Sequence, residues 1–86
     1  MGFIMSECLT ISQLVLEIIK CLVDDLDNIE IKEEHGDRTI VLSINVSKSD
    51  VGKIIGKKGK IISAIRAICE NIAAKNDQRI NIHVID

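Results

Sequence analysis

The stretch from Asp50 to Ile62 constrains the fold more than any other part of the sequence. It reads Asp-Val-Gly-Lys-Ile-Ile-Gly-Lys-Lys-Gly-Lys-Ile-Ile. This order predicts a short helix, a four-residue turn bounded by Gly56 and Gly59, and the start of a second helix. Glycine adopts backbone conformations and allows close approaches that a side chain would prevent. A chain built around this stretch therefore has to join two helices at one tight corner.

The same stretch concentrates positive charge. Residues 48–60 carry five lysines and one acid, whereas residues 1–47 carry nine acidic and three basic side chains, in a chain of net charge −2. Together with the free N–H groups that begin the next helix, these lysines suit an anion, and an extended polyanion best. The alternative is an ordinary helical corner with solvated lysines. Phe3 is the only aromatic residue, which excludes binding of bases by stacking on aromatic rings.

Apolar residues spaced three and four apart predict a first helix from about Thr10 to Asp24. Thr10 and Gln13 predict a capping box at its start, and the turn-forming run 24–28 ends it. Residues 1–8 are expected to form a loose or partly packed lead-in. The predicted buried stripe of this helix is Ile11, Leu14, Val15, Ile18, Ile19 and Leu22.

Alternating apolar and polar residues predict two strands next, over about 29–32 and 39–46. The linking residues 34–38 contain Gly36 and predict a hairpin. His35 is interpreted as a surface turn residue, because no partner for catalysis is evident. A last strand is predicted with Ile80, Ile82 and Val84 on one face and Arg79, Asn81 and His83 on the other.

Two helices are predicted between the second and the last strand. Ser47 or Ser49 is expected to cap the short helix that begins near Asp50. The long helix is predicted from about Lys60 to Ala74, with polar residues on its outer side. Its predicted apolar stripe is Ile61, Ile65, Ile68 and Ile72, flanked by Ile62, Ala64 and Cys69. The whole order predicts a single α+β domain over residues 1–86, with a three-stranded sheet covered on one face by three helices.

The cysteines Cys8, Cys21 and Cys69 are odd in number and lack metal-ligand spacing. Cys21 and Cys69 are expected to be small core residues on apolar helix faces. Reduced thiols predict an intracellular, cytoplasmic protein. No secretory signal or apolar run of membrane-spanning length is evident, which predicts no membrane association. The N-terminal Met-Gly-x-x-x-Ser fits a myristoylation pattern and is interpreted as a chance match.

The sequence does not predict an enzyme, a metal site or a cofactor. A Walker loop needs one more residue between Gly52 and Gly56, and a hydroxyl where Lys58 stands. A dinucleotide-binding loop needs its first two glycines two residues apart, not four. A DNA-binding helix-turn-helix is a closer alternative. Its recognition helix should carry polar base-reading residues, whereas the helix after the glycine turn is mostly isoleucine and alanine.

The run Val51–Ile61, with a Gly-x-x-Gly loop that follows Ile-Ile and stands between two helices, resembles the signature of the KH domain. The additional helix and strand before it resemble the bacterial type II arrangement, and the resemblance extends from about Leu9 to Ile85. The runs 50–53 and 64–66, and the small size, are similar to the single-domain bacterial KhpA (YlqC-like) family. The resemblance implies a type II KH fold of order α-β-β-α-α-β.

This resemblance implies a small protein that clamps about four nucleotides of single-stranded RNA. The Gly56–Gly59 loop would hold the phosphate backbone, with Lys53 and Lys60 near the phosphates. Arg66 would either reach RNA or brace the long helix. Three residues would help to form an apolar platform, on a helix face that is also partly core: Val51, Ile54 and Ile55. The full set of RNA-binding residues implied is Val51, Gly52, Lys53, Ile54, Ile55, Gly56, Lys57, Lys58, Gly59, Lys60 and Arg66.

The resemblance also implies a homodimer and pairing with a larger KH-domain partner of the KhpB (Jag/EloR) type. The implied pathway is post-transcriptional or cell-elongation control, including RNA-chaperone activity and cell shape. The acidic first half of the chain departs from a strong general RNA binder and predicts modest affinity, or reliance on a second subunit. The alternative is a protein-interaction module on a KH scaffold with weak RNA binding. An isoleucine-rich surface exposed beside the glycine turn would favour that alternative.

Overall fold

The computed structural model describes residues 10–85, and the elements within them follow the predicted order. The helices are α1 (Ile11–Leu22), α2 (Val51–Ile55) and α3 (Lys60–Lys75), and the strands are β1 (Glu30–His35), β2 (Thr39–Asn45) and β3 (Arg79–Ile85). Short 3-10 turns occupy Leu26–Asn28, Lys48–Asp50 and Lys57–Gly59. The expected lead-in at residues 1–8, with Cys8 and the myristoylation pattern, lies outside the described residues.

The sheet has the order β1-β2-β3, with β2 in the centre. β2 is antiparallel to β1, which confirms the predicted hairpin, and parallel to β3. The left-handed residue of the hairpin turn is Arg38, at φ 61°, while Gly36 has no positive φ. Parallel strands need a long crossover connection, which α2 and α3 provide. Because α3 returns the chain to the start of β3, the glycine turn lies toward the end of the sheet where β2 and β3 finish.

The capping box predicted for α1 is confirmed. The Thr10 hydroxyl accepts from the Gln13 amide at 3.2 Å, and the Gln13 side chain accepts from the Thr10 amide at 2.9 Å. Val15 and Ile19 in the predicted stripe are completely buried. The prediction for Cys21 was wrong, since this thiol is exposed. Cys21 follows Ile19 by two residues, a rotation of about 200° around the helix, so it points away from the core.

The buried face of α3 is rotated from the predicted one. The prediction that Ile68 is buried was wrong, because its side chain is 51 % exposed. Ile61 packs against the backbone of Gly56, where an added Cβ would lie 2.7 Å from Ile61 Cγ1. With Ile61 directed toward the turn, the residues of α3 that face the sheet are Ile62, Ile65, Cys69 and Ala73. Cys69 is a core residue as predicted, and burial raises the pKa of its thiol.

One apolar core lies between the sheet and the helices. Five helix-facing residues of β2 and β3 are at most 6 % exposed: Ile40, Leu42, Ile44, Ile80 and Ile82. Val84, on the same face of β3, is half-buried and packs against this core. The predicted polar face of β3 is confirmed, since Arg79, Asn81 and His83 are exposed. The α+β class, with one sheet and three helices in the predicted order, is therefore confirmed. Among the helices described, none has the length and apolar character needed to cross a membrane.

Candidate nucleic-acid interface

The glycine turn, residues Gly56 to Gly59, has an unusual backbone. Gly56 has φ 77° and ψ 173°, a region open essentially to glycine alone. Lys58 and Gly59 are left-handed, with φ of 56° and 75°. The contact with Ile61 leaves no room for a side chain at Gly56. The backbone path of the turn is therefore fixed by glycine at its first position.

Hydrogen bonds within the turn leave part of its backbone available. The Gly56 amide donates to the Gly52 carbonyl at 2.9 Å, which closes α2, and the Gly59 amide donates to the Gly56 carbonyl at 3.1 Å. The Lys60 amide donates to the Lys57 carbonyl. The amides of Gly59 and Lys60 are thus occupied at the start of α3. The amides of Lys57 and Lys58 take no part in these bonds.

The lysines of the turn carry charge that their neighbours do not neutralise. Lys57, Lys58 and Lys60 are all exposed. Within residues 10–85, no carboxylate lies at ion-pair distance from any of the three amines. An approaching anion therefore meets three adjacent cations, with no internal ion pair to break.

Lys53 is in a different position from the other lysines. Its amine contacts the carboxylate of Asp24 and lies 3.1 Å from Asp50 Oδ1. The hydrogen bond to Asp24, and then the bond to Asp50, raise the pKa of Lys53. The resemblance placed this amine near RNA phosphates, whereas the structure pairs it with two carboxylates of the protein itself.

Asp50 is the residue near this site that sequence reasoning missed. Its carboxylate is buried, with Oδ1 accepting from the Asp24 amide at 3.3 Å and Oδ2 from the Asp25 amide at 3.0 Å. The hydrogen bond from the Asp25 amide is the largest cause that lowers the pKa of Asp50, and Lys53 contributes further. Its backbone partners lie 25 and 26 residues away. No local pattern could have indicated a contact over that separation.

The predicted serine cap of α2 was wrong. The hydroxyls of Ser47 and Ser49 bond to each other at 2.9 Å, and neither makes a cap hydrogen bond to α2. The 3-10 turn Lys48–Asp50 leads directly into α2, because the Val51 amide donates to the Lys48 carbonyl. A continuous helical entry of this kind removes the need for a side-chain cap.

The three residues of the implied apolar platform differ in burial. Val51 is 8 % exposed and Ile54 is completely buried, so both belong to the core. Ile55 is half-buried and packs on the edge of that core. Val51 and Ile54 therefore lie in the part of this face that is core, and Ile55 is the member of the three with appreciable surface. Gly52 is exposed, with open space around it.

Arg66 braces α3 against the edge of the sheet. Its Nε and Nη2 atoms donate to the Ile82 carbonyl at 3.4 Å and 3.1 Å. Ile82 belongs to β3, an edge strand of the described sheet. Beside this contact, a groove of about 230 Å³ is lined by Arg66, Glu70, Ile80, Asn81, Ile82 and His83. Of the two roles left open for Arg66, the structure shows the brace, and it also places the guanidinium on this groove.

Within residues 10–85, the histidines and acids do not gather into a metal site. His35, predicted to lie in a surface turn, is exposed at the last position of β1 and contacts Glu33. Over residues 10–85, no three His, Cys, Asp or Glu side chains gather where they could hold a metal ion. The exposed lysines and backbone amides of the turn are the polar groups best placed to bind a ligand.

Comparison with known families agrees with this geometry. The family model described as KhpA/KhpB, KH domain, matches residues 12–84. The chain belongs to the KhpA/KhpB KH-domain family. The predicted resemblance is thereby confirmed, and the matched residues include the Gly56–Gly59 turn.

Relatives within the KhpA/KhpB family cover most of the chain. The RNA-binding protein KhpA of Chlamydia pneumoniae is 42 % identical over 80 % of this chain and 88 % of its own length. The protein of the same name from Listeria monocytogenes is 38 % identical over 86 % of this chain and 97 % of its own length. The protein of that name from Borreliella burgdorferi is 39 % identical over 86 % of this chain and 90 % of its own length. No solved structure matches the chain.

Proposed function

We propose that this chain is a binding protein rather than an enzyme, and that it holds single-stranded RNA with the Gly56–Gly59 turn. The observation that carries the proposal is the turn itself, where exposed lysines and available amides interrupt an otherwise acidic protein. The name RNA-binding protein KhpA, which the relatives carry, supports RNA as the polyanion. We place this activity in the cytoplasm.

The turn binds the phosphate backbone of the RNA, and the neighbouring groove binds its bases. Phosphates accept hydrogen bonds from the amides of Lys57 and Lys58, and their charge is balanced by the side chains of Lys57, Lys58 and Lys60. Bases lie along α3 and the free edge of β3, against Ile55 and the groove beside Arg66. Phosphate contacts carry no sequence information. Binding of about four nucleotides is therefore expected to tolerate many sequences.

The main test replaces the two lysines of the turn. Lys57→Asp/Lys58→Asp should abolish binding of a short labelled single-stranded RNA, measured by fluorescence anisotropy, because it reverses the charge that faces the phosphates. For the unchanged protein, neutralisation of three or four phosphates gives a slope of about −2 to −3 for log affinity against log salt.

The matched control is Lys32→Asp/Lys75→Asp, which makes the same change in net charge at two exposed lysines of β1 and α3. It should retain most of the binding, and circular dichroism should show both variants folded. A salt slope near zero, or equal losses in both double variants, would contradict a phosphate clamp at the turn.

A second candidate function is protein assembly, and the exposure of Ile68 favours it. This side chain lies in the middle of α3 and is 51 % exposed, and Ala64 and Ala67 near it are exposed as well. An apolar helix face of this kind suits a homodimer or a larger KH partner of the KhpB type. The role in cell elongation or post-transcriptional control implied by the resemblance stays a prediction.

Ile68→Glu tests assembly separately from RNA binding. If the face of α3 around Ile68 joins two copies, this change should convert a dimer to a monomer in sedimentation, because a buried unpaired carboxylate is costly. The Lys57→Asp/Lys58→Asp variant should remain a dimer. A protein that is monomeric at all accessible concentrations would argue against the homodimer.

A further inference from the structure

We propose that Asp50 and Lys53 position the glycine turn for RNA, and that Lys53 does this without contacting a phosphate. We call these two side chains, with the backbone amides of Asp24 and Asp25, the Asp50 latch. The proposal rests on the RNA-binding function proposed above. It assigns a role to a buried acid for which the resemblance implies none, and a different role to a lysine that the resemblance placed near the phosphates.

The first support is that the Asp50 carboxylate is buried and fully engaged. It is 0 % exposed and holds two backbone amides of the segment that follows α1. A buried carboxylate is tolerated only when it is hydrogen-bonded and paired. Asp50 therefore ties residues 24 and 25 to the start of α2, the helix that leads into the turn.

The second support is that Lys53 completes the pairing of this carboxylate. Its amine bonds Asp50 Oδ1 at 3.1 Å and also contacts Asp24. The side chain of Asp24 is 85 % exposed, whereas the side chain of Asp50 is only 1 % exposed. An amine that left for an RNA phosphate would leave the buried carboxylate without its cation, which is strongly unfavourable. Lys53 is therefore retained by the protein, unlike the unpaired Lys57 and Lys58.

The third support is the shortness of α2, which has five residues. A helix of this length has no stability of its own, so contacts outside it must fix its direction. Val51 and Ile54 fix one side through the core. The latch fixes its start, and Gly56 follows directly at its end. A change of the latch is therefore transmitted to the amides of the turn over little more than one helical turn.

The first test uses the free protein. Asp50→Asn and Lys53→Gln should each shift the backbone amide NMR signals of residues 56–59, while urea unfolding shows that the samples stay folded. Lys53→Arg, which keeps the positive charge beside both carboxylates, should leave these signals close to their native positions. Lys48→Gln is the matched control, because it removes an exposed lysine of the adjoining 3-10 turn. Turn signals unchanged in both latch variants would overturn the positioning role, whether or not RNA binds.

The second test measures RNA affinity as a function of salt. Lys53→Gln should weaken binding about tenfold, the size of effect that loss of one charged hydrogen bond commonly has. Its salt slope should equal that of the unchanged protein. Lys60→Gln, which removes a proposed phosphate contact, should make the slope less negative by about 0.7. If Lys53→Gln made the slope less negative by the same amount, the claim that Lys53 does not contact phosphate would be overturned.

A double-variant cycle completes the design. Asp50→Asn/Lys53→Gln should bind no more weakly than either single variant, because both changes disable the same latch. Losses that simply add would show that the two residues act separately, and would overturn the latch. If the unchanged protein binds no RNA, the proposed function fails, while the NMR experiment still decides whether the latch positions the turn.

Discussion

Gly56→Ala should destabilise the protein by roughly 2 to 4 kcal/mol and abolish RNA binding. Two costs combine at this position. The backbone conformation at φ 77° and ψ 173° is strained for any residue with a side chain. The new methyl group would also lie 2.7 Å from Ile61 Cγ1. Urea unfolding monitored by circular dichroism measures the loss of stability, and fluorescence anisotropy at low salt measures the loss of RNA binding.

Gly52→Ala is the matched control for this prediction. Gly52 lies within α2, is exposed, and has no atom within 4 Å of an added Cβ. Alanine in a helix is more stable than glycine by roughly 0.5 to 1 kcal/mol, so this variant should be slightly stabilised. A Gly56→Ala protein as stable as Gly52→Ala would show that the turn relaxes without strain, and the conformation argued for Gly56 would be wrong.

Ile54→Ala should cost about 2 to 5 kcal/mol of unfolding free energy, as expected for a large-to-small change at a fully buried site. Ile54 is completely buried on the inner side of α2. The neighbouring Ile55 is half-buried at the edge of the core. Ile55→Ala should therefore cost clearly less stability, and should weaken RNA binding in a protein that remains folded.

Comparing the Ile54→Ala and Ile55→Ala variants distinguishes a core role from a role in the apolar RNA-binding platform. The comparison needs urea unfolding curves and RNA affinities for both variants, with affinity corrected for the folded fraction. If Ile54→Ala retained full stability and lost affinity, Ile54 would have to be assigned to the RNA surface. If Ile55→Ala had no effect on affinity, the apolar platform on α2 would have no support.

Elements with a local signal were predictable from the sequence. Thr10 and Gln13 lie three residues apart and cap α1 as expected. The alternation of Ile80, Ile82 and Val84 defined both faces of β3, because a strand places successive side chains on opposite faces. The hairpin was equally local. The element order therefore followed from periodicity, and the family resemblance supplied the way the elements join.

Two of the errors concern how a helix is rotated against the core. Ile68 is as hydrophobic as Ile65, yet Ile61 packs against Gly56 and the buried residues that follow Ile65 are Cys69 and Ala73. Cys21 was placed on an apolar face although that face is centred on Val15 and Ile19. Hydrophobicity alone does not fix the rotation of a helix that has apolar residues on several sides.

The candidate site was predictable in outline but not in its charges. The turn and its lysines were evident from Gly-x-x-Gly and three adjacent cations. The burial of Val51 and Ile54, and the pairing of Lys53, depend on how α2 sits over the core and beside Asp24. The role of Asp50 depends on two amides from the first half of the chain. Such features follow from the assembled fold.

The parallel pairing of β2 and β3 has a consequence for the rate of folding. These strands cannot pair until the crossover of residues 46–78 has closed, and the glycine turn lies inside that crossover. Contacts across long sequence separations slow folding, because the loop entropy is lost before the contacts form. A glycine turn that reverses the chain direction helps the crossover to close, and so brings β2 and β3 together sooner. The four residues proposed to hold RNA are thus also expected to govern how fast the sheet is completed, which limits the substitutions that the turn can accept for folding alone.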